Sequence, residues 1–179
     1  MKYFIGYLIK GEAAEWQVNT AKKISEEFNT WKIYEKIPPH ITVFYLEGVE
    51  DISGIRSYIK EWVKKNKIPG NFCISGFDHF DDRVIFAKID ADEFVKKSIE
   101  NLRADFKNLV NIKNESFPNW HPHSTLANQL NSDEINRIWK FVNKLEKPNF
   151  TIPFNNVTIF RYEDDQKWVV DELFELSQF

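Results

Sequence analysis

The chain is expected to fold as an α+β domain with two pseudo-twofold-related lobes. Each lobe is a small, mainly antiparallel sheet with two helices on its outer face. Three observations lead there: stripes of helical periodicity, β-rich runs between them, and an order of elements that nearly repeats. Ile52, Ile55, Ile59 and Trp62 recur at steps of three and four, which puts them on one helix face. Val95, Ile99, Leu102, Phe106 and Leu109 do the same, as do Ile135, Ile138, Val142 and Leu145. A fourth helix is expected over 13–29, on the weaker stripe of Val18, Ala21, Ile24 and Phe28. Asn131, Ser132 or Asp133 can cap the last helix at its start. The β-rich runs are 2–9, 40–46, 71–77, 83–90, 122–127, 150–161 and 167–176. Glu163-Asp164-Asp165-Gln166 reads as the hairpin tip joining the final two.

Residues 2–77 run strand, helix, Pro-rich loop, strand, helix, strand, and 83–161 run through much the same series. A closing hairpin extends to 176. An internal duplication is expected, packed as a single domain over 1–179, because no low-complexity linker separates the halves.

A chain of 179 residues, 42% hydrophobic and 16% aromatic, can bury a sizeable core and is not disordered. The formal net charge of −3 offers no global basic field for long duplex nucleic acid. The single Cys73 cannot form an internal disulfide, which fits a reducing, cytoplasmic setting. The opening apolar run is broken by Lys10 and Glu12, so it reads as a first strand rather than a signal peptide. No later run is long enough to span a membrane, and a monomer is expected.

Two copies of one short motif carry the chemistry: His40-Ile41-Thr42-Val43 and His123-Ser124-Thr125-Leu126, each preceded by proline. Side chains alternate along a strand, so each His shares a face with the Thr two residues on. Two such strands facing a central cleft supply a general base, a general acid and two hydroxyl donors. That set is sufficient to open a phosphodiester with no metal and no cofactor. Around the motifs, Phe44, Tyr45, Trp120 and His121 are candidate substrate contacts. Phe44 falls on the His40/Thr42 face, where it stacks on a base or floors the cleft, though ordinary core packing accounts for it more simply; Trp120 is the better stacking candidate. His121 and His123 also have metal-ligand spacing, with His40, His79 or the Asp78/Asp81/Asp82 group as further ligands of a metal-dependent hydrolase. A solvated turn explains that acidic group, and His79 beside it, more simply.

The paired motifs, with the opening strand, the 84–89 strand and its helix, and the closing hairpin, resemble the 2H phosphoesterase superfamily. The likeness is to its bacterial branch, named for 2′-5′ RNA ligase. The resemblance implies a bilobal α+β fold with both His in a central cleft and with strands exchanged between the sheets. It implies that His40 and His123 are the catalytic pair and that Thr42 and Thr125 hold the phosphate oxygens. Many relatives carry a basic residue just after the second motif, where this chain has Asn128; Arg161 is a candidate replacement. The expected function is hydrolysis of a cyclic phosphate, on an RNA end or a small cyclic nucleotide, with 2′-5′ joining as a side reaction. The alternatives are a non-catalytic nucleotide or RNA binder that retains the cleft, and the metal-dependent hydrolase.

Overall fold

Periodicity of three and four becomes helix, and alternation becomes sheet, almost where the sequence places them. A computed structural model describes residues 2–46, 48–49, 51–80, 83–110 and 119–177. Among them run β1 (Tyr3–Leu8), α1 (Gly11–Phe28), α2 (Ile33–Lys36), β2 (His40–Leu46) and α3 (Ser53–Lys65). Then follow β3 (Asn71–Phe80), β4 (Val84–Ala91), α4 (Glu93–Val110), β5 (His123–Ala127) and α5 (Ser132–Val142). The chain closes with β6 (Phe150–Pro153), β7 (Asn156–Glu163) and β8 (Lys167–Glu175). Asn131 caps α5: its side chain accepts from the backbone of Asp133 and Glu134, and Glu134 reaches back to the Asn131 N–H. Such a box stabilises a helix start by about 1 kcal/mol. The short α2 has no sequence signature, because four residues cannot display a helical stripe.

Two four-stranded sheets form, in the orders β2-β1-β7-β8 and β5-β4-β3-β6, with every pairing antiparallel. Strands cross between sequence halves. β3 pairs with β4 and β6 in the second sheet, while β7 returns to pair with β1 in the first. Helices α3 and α4 pack together on the first sheet, and α1 and α5 on the second. The motif strands β2 and β5 are thereby both edge strands, one in each sheet, and they meet at the seam between them.

Two expectations are corrected. The run 150–161 is not one strand, since Pro153 has no N–H to continue a ladder and the chain changes sheets at Phe154 and Asn155. Phe154 N donates to Gly70 O at 2.9 Å as the chain leaves the second sheet. On entering the first, buried Asn156 accepts from Leu8 N at 2.9 Å and donates to Leu8 O at 3.1 Å, so a side chain prolongs the β1 ladder. β3 also runs past 77 to Phe80, so Asp78 and His79 lie in a strand rather than a solvated turn. His79 packs edge-on against Trp139 of α5 at 4.9 Å.

Candidate active site

Each motif strand begins at its histidine, after a proline that biases the residue before it toward extended backbone. At both, Nδ1 meets the carbonyl oxygen two residues earlier: His40 to Pro38 O at 2.8 Å, His123 to His121 O at 2.7 Å. A carbonyl can only accept, so each Nδ1 carries a proton and each neutral ring keeps its lone pair on Nε2. The rings lie on matching aromatic beds. His40 rests on Phe4 (4.9 Å) and Phe160 (5.4 Å), and His123 on Phe80 (4.9 Å) and Phe86 (5.1 Å).

These beds set the electrostatics. Burial lowers the His40 pKa from 6.5 to about 4, partly opposed by the Pro38 bond and assisted by the charge of nearby His123. His123 is lowered by burial as well, with the Nδ1 bond to His121 O opposing and the charge of His121 assisting. Both imidazoles are therefore neutral at pH 7, each with a free basic nitrogen.

Thr42 and Thr125 are half-buried, and neither hydroxyl is engaged by another of the described residues. The same irregularity follows each. Gly6 pairs with Thr42 but Ile5 with Phe44, leaving Val43 as an extra residue; Phe86 pairs with Thr125 but Ile85 with Ala127, leaving Leu126. A bulge of this kind ends the alternation. It takes Phe44 off the His40/Thr42 face and into the core, the simpler of the two accounts of this residue. Phe44 is 2% exposed and packs on Phe106 of α4 at 5.7 Å, away from His40 and Thr42.

Arg161 is also corrected. Its neighbour Phe160 faces His40, so Arg161 projects from the opposite side of β7. There Nε donates to Asp171 at 3.0 Å and Nη2 to Glu163 at 2.8 Å, while Arg56 of α3 holds the other oxygen of Asp171 at 2.7 Å. Tyr45 is exposed at the far end of β2 and lies 6.0 Å from Phe4. His121 is exposed, 6.1 Å from His123 and edge-on to Phe80. Trp120 is half-buried and its indole N–H donates to Thr42 O at 2.9 Å. Asn128 keeps a buried Oδ1 that finds no partner among the described residues. Among the described residues no three His, Cys, Asp or Glu side chains form a group that could hold a metal ion; Asp81 and Asp82 lie outside them.

Two residues of the seam escape a reading of the sequence. Ser124, 0% exposed, has its hydroxyl 2.6 Å from His40 O and 2.8 Å from Gln17 Oε1. Gln17 in turn donates from Nε2 to Thr125 O at 3.2 Å. A signal exists for Gln17, a polar residue on the buried stripe that Ala13, Ala21 and Ile24 define.

Residues 10–166 match the 2′-5′ RNA ligase superfamily. The chain belongs to that family, the 2H phosphoesterases. Solved structures share its fold over nearly the whole chain. TT0787 of Thermus thermophilus is 21% identical, with 99% of each chain covered and a TM-score of 0.68. E. coli LigT complexed with 3′-AMP is 11% identical, with 99% of this chain and 98% of that one covered and a TM-score of 0.63. A structure described as a phosphoesterase is 12% identical, with 99% of each chain covered and a TM-score of 0.62. No curated protein matches. Across this 2H phosphoesterase the two edge strands bring one imidazole and one unengaged hydroxyl each to the seam, and no helix among the described residues is long and apolar enough to cross a membrane.

Proposed function

We propose that this family member is a metal-independent phosphodiesterase that opens a cyclic phosphate, either a 2′,3′-cyclic RNA end or a small cyclic nucleotide. One observation carries the reading: two imidazoles with free Nε2 atoms, held alike by their Nδ1 bonds, each with an unengaged threonine hydroxyl two residues on. His40, neutral down to about pH 4, suits the general base that takes a proton from water as its oxygen attacks phosphorus. The P–O bond to one ribose oxygen breaks, and protonated His123 gives that oxygen its proton. A phosphomonoester results. The anionic phosphate between the rings favours the imidazolium that the acid requires. Thr42 and Thr125 donate to the non-bridging oxygens as charge builds.

Membership of the family supports phosphoester chemistry. E. coli LigT complexed with 3′-AMP, with ATP and with phosphate supports a ligand of nucleotide size. Trp120 and His121 lie beside the motifs, with Tyr45 farther along β2, as side chains for a base or ribose, and 2′-5′ joining, in which a 5′-hydroxyl replaces water as the attacking group, is a minor side reaction. The net charge of −3 argues against long duplexes, and the lone thiol of Cys73 suits a cytoplasmic setting; the reading takes the chain as a monomer of one duplicated domain.

A panel of cyclic phosphates in EDTA, with products resolved as 2′- or 3′-phosphates, tests the reading. His40→Ala and His123→Ala should each lower kcat by about 10²–10⁴-fold with the fold retained. A kcat within threefold of wild type for either variant would sink the paired-histidine mechanism.

A further inference from the structure

We propose that Ser124, backed by Gln17, is a positioning residue that sets the spacing of the two imidazoles. The inference rests on the acid–base reading above and extends it to residues that touch no substrate.

β2 and β5 belong to different sheets, so no backbone ladder fixes one against the other. The seam is closed by side chains. Ser124 sits between His123 and Thr125, and its hydroxyl lies 2.6 Å from the backbone oxygen of His40. One hydrogen bond therefore links the backbones at the two imidazoles with every other link on that path covalent, and the Trp120 N–H bond to Thr42 O ties the same seam one step farther out. Water does not compete for it, because Ser124 is 0% exposed and Gln17 only 6%. Gln17, reaching in from α1, holds the same hydroxyl through Oε1 at 2.8 Å and the Thr125 carbonyl through Nε2 at 3.2 Å. The hydroxyl proton is thus shared by two acceptor oxygens. Removing it leaves the His40 carbonyl and Gln17 Oε1 without this donor where water does not replace it, and the two motif strands lose a tie that holds them together. In-line transfer between an acid and a base tolerates little of this, since a displacement of about 1 Å costs on the order of 100-fold in rate.

The test compares Ser124→Ala and Ser124→Thr with wild type, using adenosine 2′,3′-cyclic phosphate well below the melting temperature and normalising rates to folded protein. In Ser124→Ala, kcat should fall about tenfold or more while KM stays within threefold, because Thr42 and Thr125 still grip the phosphate. The acid limb of kcat/KM should move to higher pH as the rings separate, and Ser124→Thr, which keeps the hydroxyl on a strand-compatible side chain, should recover most of kcat. A kcat for Ser124→Ala within threefold of wild type, or a loss with the acid limb unmoved, overturns the inference. If Ser124→Ala does not fold, Gln17→Met carries the test: a kcat fall of threefold or more at unchanged KM supports it, and a smaller fall overturns it. His40→Ala is measured alongside. If it is inactive while the seam variants are normal, only the positioning role fails; if it is active, the acid–base reading fails first.

Discussion

Lowering the pH from 7 to 4 should cost the fold about 3 kcal/mol through His40 alone. Its ring packs against the stacked pair Phe4 and Phe160, and burial, with the charge of His123 assisting, lowers its pKa from 6.5 to about 4. The unfolded chain then takes up this proton before the folded one does. The contribution to stability is fully present above pH 6.5 and is lost as the pH drops toward 4. A difference of one in pKa is equivalent to about 1.36 kcal/mol, so the loss reaches about 3 kcal/mol at pH 4. That is a large part of the roughly 5–15 kcal/mol typical of a whole domain. Urea unfolding of wild type and His40→Gln at intervals between pH 7 and 4 isolates this contribution, because glutamine does not titrate and the other carboxyl and histidine contributions cancel in the difference. The stability of wild type relative to the variant should decline by about 3 kcal/mol over that range. A difference flat to within about 0.5 kcal/mol would refute the claim that His40 is held neutral by burial.

The same lowered pKa values move catalysis to the acid side. The limbs of kcat/KM should lie near pH 4 for the base and below 6.5 for the acid, unchanged by EDTA, and an optimum above about pH 7.5 would contradict the assignment of His40 and His123. Arg161→Ala should leave KM within twofold while lowering the urea midpoint of unfolding, because its guanidinium serves Asp171 and Glu163 on the far face of β7; a tenfold rise in KM would restore a phosphate role. Gly6→Ala should destabilise by about 1–3 kcal/mol in thermal or urea unfolding. Its Cβ would stand 2.8 Å from the Ile41 backbone oxygen and 3.2 Å from Phe160, and unaltered stability would mean that β1 and β2 separate more easily than their close approach suggests.

Much of this molecule is legible in its sequence, for reasons that are local. The stripe Val95, Ile99, Leu102, Phe106 and Leu109 needs only a helical repeat to show which face α4 buries: the first four are buried, and Leu109, in the last turn, is exposed. The placement of His and Thr on one strand face needs only the two-residue pleat, because no irregularity falls between them. That local order fails one residue later. The bulges at Val43 and Leu126 arise from pairing with β1 and β4, partners distant in sequence, so alternation points Phe44 into the cleft while the fold puts it in the core. Arg161 misleads for a related reason: its face on β7 depends on Phe160 meeting His40, a contact across the first sheet.

Composition, periodicity and the repeated His-x-Thr determined the class of fold, the positions of its elements and the two strands that matter. Only the tertiary structure decided which sheet each strand joins. It also decided which ring nitrogen of each histidine is left free, how far burial pulls the His40 pKa down, and that Ser124 and Gln17 close the seam between the motif strands. The first set follows from the preferences of neighbouring residues along the chain. The second depends on hydrogen bonds and desolvation between groups that folding brings together from Gln17 to Ser124, and no local pattern encodes a contact over that separation.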